Sequence, residues 1–160
     1  MNEKVHALIN QQINKEFYSA YLYLNFSNYF EEVGLDGFAN WYKIQAQEER
    51  DHAMLFYQYL QNENQISINR SRKPTHQKVT LEAIEKPVLN AACHMDVLKA
   101  GLEHEKYVTS LINDIYSEAY EARDFRTMQF LDWFVKEQGE EETNANNLIS
   151  KMELFGSDPK

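Results

Sequence analysis

Glu49 and His52 stand three residues apart in a stretch, 41–56, that contains neither proline nor glycine and reads as helix. On a helix that spacing puts both side chains on one face. The face runs Phe38, Tyr42, Gln45, Glu49, His52, Phe56, Tyr59, in the alternating steps of a core-facing bundle helix. A carboxylate and an imidazole therefore interrupt an aromatic stripe. Burying an ionised carboxylate is costly unless it is paired or bound to a metal. The chemistry on offer is thus a buried ion pair or metal ligation. A Glu-x-x-His pair alone is common on helix surfaces, so the decision rests on what the other elements bring.

Those elements repeat the theme. The first predicted helix, about 3–32, carries the stripe Ile9, Ile13, Glu16, Ala20, Tyr23, Ser27, Phe30, with Glu16 as its one acid. The same helix holds Phe17, Tyr18, Tyr21, Leu22 and Leu24, more apolar surface than one seam can cover, which points to a further contact such as a second subunit. The turn follows at Gly34 and Gly37, where Gly34 suits a left-handed helix end and Asp36 suits a cap. A loop this short makes the first two helices antiparallel neighbours. The second helix is predicted over about 38–60.

The third, about 89–122, has the stripe Ala91, Met95, Leu98, Leu102, Glu105, Thr109, Ile112, Tyr116, Ala119, interrupted by Glu105. The fourth, about 126–155, has Leu131, Phe134, Gln138, Glu141, Ala145, Leu148, Met152, Phe155, with Gln138 and Glu141 spaced like Glu49 and His52. Gly156 ends it and 157–160 form a tail.

Residues 61–88 hold Pro74 and Pro87 and show no helical period; 79–84 reads as extended. A helix of about 27 residues is roughly 40 Å long. A dozen or so extended residues at about 3.3 Å each would span it. The segment is therefore a crossover along the bundle, which leaves helices two and three parallel. Its middle, 66–78, is basic, with Arg70, Arg72, Lys73 and Lys78. The expected architecture is an all-α four-helix bundle, one domain over 1–160.

Composition narrows the partners. A formal net charge of -9 disfavours nucleic acid and favours cations. One cysteine, Cys93, permits no disulfide framework and no Cys-x-x-Cys site, which suits a reducing cytoplasm. The N-terminus leads into an amphipathic pattern with no apolar signal core, and no apolar run approaches the roughly 20 residues needed to span a bilayer.

Glu16, Glu49, Glu105 and Glu141, with His52 and Gln138, fall at mid-helix on the core-facing stripes of four helices. Helices one and three give a lone Glu; helices two and four give a pair. The two halves are pseudo-equivalent. Left unpaired, the cluster would oppose folding; as an oxygen-rich set with one imidazole it fits two adjacent divalent metals, iron or manganese. Di-iron bundles use two lone Glu and two Glu-x-x-His helices. Here Gln138 and Glu141 replace the fourth helix's pair, so the second metal position is poorer in ligands, as suits a metal that binds, is oxidised and leaves. Tyr23, one heptad after Glu16, would sit beside the site, either as an ordinary core tyrosine or as a hydrogen-bonding and redox partner. Glu48, Glu137 and Glu140 flank the core positions; a charge run of this kind is usually a solvated face, but with Glu141 it could bind a third cation. His104 points off the seam, and Trp133 and Met95 read as core.

These residues resemble the bacterial non-haem ferritins. The similarity is carried by 15–19 with Tyr23, by 47–52, by 102–106 and by 133–142, in family order across the chain. It implies a ferroxidase that oxidises Fe(II) with O2 or H2O2, and a 24-subunit cage that stores the ferric mineral. It also implies first-iron ligands Glu16, Glu49 and His52, with Glu49 bridging, and second-iron ligands Glu105 and Glu141, with Gln138 close by. A third, transit site is implied at Glu48, Glu137, Glu140 and Glu141. Bacterioferritins have a haem-binding Met after the bridging Glu, where this chain has Arg50, so no haem is expected. The rubrerythrin Cys-x-x-Cys module cannot be built from one cysteine. The crossover is longer than is usual in the family, and ferritins generally continue into a fifth helix beyond the position of Gly156. Either the natural chain continues or the fourfold channel differs.

Overall fold

The computed structural model describes residues 1–71 and 77–155. It holds four helices: α1 (Glu3–Glu32), α2 (Asp36–Ser71), α3 (His94–Glu121) and α4 (Phe125–Phe155). No strand occurs among the described residues. The chain falls into two compact units, Met1–Val88 and Leu89–Lys160. Each contains one helical hairpin, with α1 packed on α2 in the first and α3 on α4 in the second.

In the first unit, Asn2 caps α1, its side-chain oxygen accepting from Lys4 N at 2.9 Å and Val5 N at 3.2 Å. Val5, Ile9, Ile13, Phe26 and Phe30 are buried along one face. Aromatic rings lock the turn end of the hairpin: Phe30 stacks on Phe38 at 5.2 Å and on Tyr42 at 5.9 Å, and Phe26 meets Tyr42 edge-on at 5.3 Å. Leu22 belongs to this interior, whereas Tyr21 and Leu24 stay 51% and 48% exposed. Part of the surplus apolar surface of α1 is therefore absorbed within the hairpin.

The turn closes with a Schellman-type pair: Leu35 N donates to Phe30 O at 2.9 Å and Gly34 N to Glu31 O at 3.1 Å, with Gly34 at φ 77. Asp36 is the first residue of α2 rather than its cap. Ala39 N donates to Leu35 O, so Leu35 occupies the cap, and the Asp36 carboxylate sits in the first turn, where the helix dipole favours it.

α2 runs to Ser71, well past the expected end near 60. Residues 61–71 contain no proline or glycine to stop a helix, but they are mostly polar, so they carry no apolar stripe to announce one. The first half of the supposed crossover insert is thus a helical extension; Arg72, Lys73 and Pro74 lie outside the described residues. Beyond them, 77–91 has no regular secondary structure. Amides of α1 hold it: Asn10 exchanges two hydrogen bonds with Thr80 (3.0 and 2.9 Å), and Asn14 Nδ2 donates to Ala83 O at 3.1 Å.

In the second unit, α3 starts at His94, after Cys93 in the cap position, so Ala91 precedes the helix. Its core is mostly aliphatic: Val97, Leu98, Val108, Ile112, Ile115 and Ala119 from α3, with Leu131, Leu148 and Ile149 from α4, joined by Phe134. Trp133 is not core; it is 48% exposed, one position before the buried Phe134. The α3–α4 turn reproduces the first one. Asp124 N donates to Ala119 O at 2.8 Å and Arg123 N to Tyr120 O at 3.0 Å, with Arg123 at φ 54 in the glycine-like position. Asp124 then caps α4, accepting from Thr127 N at 3.1 Å and from Thr127 Oγ1 at 2.6 Å.

Candidate metal centre

The first unit brings Glu16, Glu49 and His52 together. All three are buried, Glu16 to 1% exposure, and each offers a ligand atom within 4.8 Å of the others. His52 Nδ1 lies 3.4 Å from Glu49 Oε2 and 4.0 Å from Glu16 Oε2. Gln12, one turn before Glu16 and itself buried, donates from Nε2 to Glu16 Oε1 at 2.9 Å. Among the described residues no donor reaches Glu16 Oε2 within hydrogen-bonding distance. Burial first, and then the neighbouring Glu49 carboxyl, push the Glu16 carboxyl well above its usual range, against the opposing pull of His52 and Gln12. Two buried acids crowded beside an imidazole form a donor set that a divalent cation would satisfy.

The second unit gathers Glu105, Gln138 and Glu141, all buried. Gln138 Nε2 donates to Glu105 Oε2 at 3.1 Å and lies 3.2 Å from the Glu105 main-chain oxygen. Thr109 Oγ1 stands 3.2 Å from Gln138 Nε2 and 2.8 Å from Glu142 Oε2. The remaining predicted residues are placed less tightly. Tyr23 is buried, its ring 5.7 Å from Phe26 and 5.6 Å from Tyr42. Glu48 and Glu137 are half-buried and Glu140 is exposed beside Gly139.

Gln12, Thr109 and Glu142 carry polar contacts that the sequence reading assigned to no one. Gln12 had a signal, an amide four residues before a seam acid. Thr109 was placed on its stripe but passes there for a small core residue.

A ferritin family model, described as a ferritin-like domain, matches residues 6–155. The chain belongs to that family and, with it, to the iron-storage proteins. It is 35% identical to the bacterial non-heme ferritin of Campylobacter jejuni, over 98% of this chain and 86% of that protein. It is 32% identical to a probable bacterial non-heme ferritin-like protein of Haemophilus influenzae, over 100% of this chain and 90% of that one. Among solved structures, an open-pore ferritin of Archaeoglobus fulgidus superposes with a TM-score of 0.88 at 36% identity, over 99% of this chain and 90% of that one. The fold is accordingly the ferritin-like four-helix bundle, with one long crossover between α2 and α3. Among the described residues, no helix is long and apolar enough to cross a membrane.

Proposed function

We propose that this chain is a ferroxidase subunit of an iron-storage assembly, one domain over 1–160 that binds two Fe(II) and oxidises them with O2 or H2O2. The observation that carries the reading is the Glu16–Glu49–His52 cluster, three buried ligands within 4.8 Å of one another, with an oxygen of Glu16 left without a donor. Family membership supplies the metal. In this reading Glu16, Glu49 and His52 hold one Fe(II), Glu105 and Glu141 hold the other with Gln138 alongside, and Glu49 is the shared carboxylate, as the resemblance implies. Carboxylates favour the higher-charged Fe(III) and so favour loss of the electron, and two irons together supply two electrons to one oxidant molecule. In this reading Tyr23, which is buried one heptad after Glu16, hydrogen-bonds a ligand or passes an electron. Glu48, Glu137 and Glu140, with Glu141, are read as a third, transit site for iron, as the resemblance implies.

The assembly is a cytoplasmic homo-oligomer of 24 chains, without haem. Its support is the apolar surface left on the first hairpin. Tyr21 and Leu24 line a recess of about 530 Å3 with Phe17 and Ile84, a surface of the kind that seats another subunit.

Anaerobic equilibrium dialysis against Fe(II) tests the reading. The wild type should retain two Fe(II) per chain and Glu49→Ala at most one. A wild type that retains none would leave a hydrogen-bonded structural cluster in a metal-free bundle.

A further inference from the structure

We infer that Thr109 and Glu142 are positioning residues for the second iron position; the inference rests on the two-iron reading above. Hydrogens are in shorter supply here than acceptors. Gln138 Nε2 has two hydrogens and faces three acceptors: Glu105 Oε2 at 3.1 Å, Glu105 O at 3.2 Å and Thr109 Oγ1 at 3.2 Å. Thr109 Oγ1 has one hydrogen and two acceptors, Glu142 Oε2 at 2.8 Å and Glu105 O at 3.0 Å. The shorter contact goes to a carboxylate and is the stronger one. With its proton committed to Glu142, the hydroxyl turns its lone pairs toward Gln138 and can only accept from the amide.

The direction of the whole chain is then fixed, from the Gln138 amide through the Thr109 hydroxyl to the Glu142 carboxylate. It keeps the nitrogen of Gln138 on the Glu105 side and the carbonyl oxygen, the atom able to bind a cation, on the other. It also holds Glu105 Oε2 in a hydrogen bond, which orients that carboxylate. The two acceptors on Glu105 already draw the amide nitrogen, and the hydroxyl adds a third from a second residue, so without it the amide is held from Glu105 alone and its orientation is less firmly set. Thr109 and Glu142 are half-buried while Glu105 and Gln138 are buried, so the device reaches from the edge of the hairpin to its interior.

The test is Co(II) titration of the full-length apoprotein, reading the d–d absorption and the affinity of each ion. Wild type should take up two Co(II) per chain. Thr109→Val should weaken the second by about 10-fold or more, the usual cost of losing an outer-shell partner, and leave the first within about twofold. Thr109→Ser should restore it, and Glu142→Leu, at a half-exposed position that tolerates change, should weaken the second ion in the same way. Unchanged second-ion affinity in Glu142→Leu or in folded Thr109→Val overturns the inference while the two-iron site stands. A wild type that binds one Co(II) or none overturns the two-iron reading and this inference with it.

Discussion

At the residue scale, two acids, Glu16 and Glu49, share a buried interior. The Glu16 carboxyl is held well above its usual range by burial, and next by Glu49. An acid with a raised folded-state pKa binds its proton more tightly in the folded chain than in the unfolded one. The metal-free protein therefore loses stability as pH rises from the ordinary carboxylate range toward the pKa of Glu16. Glu16→Gln cannot ionise and keeps an oxygen for Gln12. Its apoprotein should melt a few degrees above the wild type at pH 7.5, with the gap narrowing toward pH 5, in thermal unfolding followed by circular dichroism. A gap that widens on acidification would contradict the account. The same residues should fail in the opposite sense when iron is present. Glu49→Ala and His52→Ala should slow the initial oxidation of Fe(II) by about 100-fold or more, with helicity unchanged. Undiminished initial rates would place the chemistry elsewhere.

These residues were legible because each interrupts an apolar period at the same height of its helix. Thr109 and Glu142 were not, since helical period identifies faces but not which polar atoms meet across them; Gln12 carried only the signal of its spacing, four residues before Glu16.

At the element scale, the two hairpins solve one problem twice. Both leave their first helix through a residue in the left-handed region, Gly34 at φ 77 and Arg123 at φ 54, and both close with the same pair of backbone bonds. Glycine takes that conformation freely; a side chain costs roughly 1 kcal/mol there. Arg123→Gly should therefore stabilise the protein by about 0.5–1 kcal/mol, read from the urea midpoint at constant slope. A loss of stability would mean that the arginine makes contacts worth more than the strain. The first turn was readable because it carries two glycines, Gly34 and Gly37; the second has none and shows only as the gap between two apolar stripes. The end of α2 was misjudged near residue 60 for a related reason. A helix that leaves the core keeps its backbone bonds but loses its apolar stripe, and the stripe is what sequence reveals.

At the scale of the whole molecule, the repetition of a lone acid and a polar pair in each half is what made the fold readable, and family membership agrees with it. The surface left over is more specific to assembly. Tyr21 and Leu24 remain about half exposed beside Ile84, around one recess of the first hairpin. An apolar patch of this kind at a subunit contact does not tolerate charge. The double variant Tyr21→Glu with Leu24→Glu should shift the particle to a smaller species in light scattering while circular dichroism stays unchanged. The wild type should run near the mass of 24 chains of 18.9 kDa, about 450 kDa. A double variant of undiminished size would exclude this face from the assembly.

Oxidation of iron at the buried clusters can be followed directly. The direct measurement is stopped-flow absorbance after mixing aerobic apoprotein with increasing Fe(II). A fast phase whose amplitude saturates near two irons per chain is the predicted result. Oxidation no faster than that of Fe(II) in buffer alone, at every ratio of iron to protein, would contradict it.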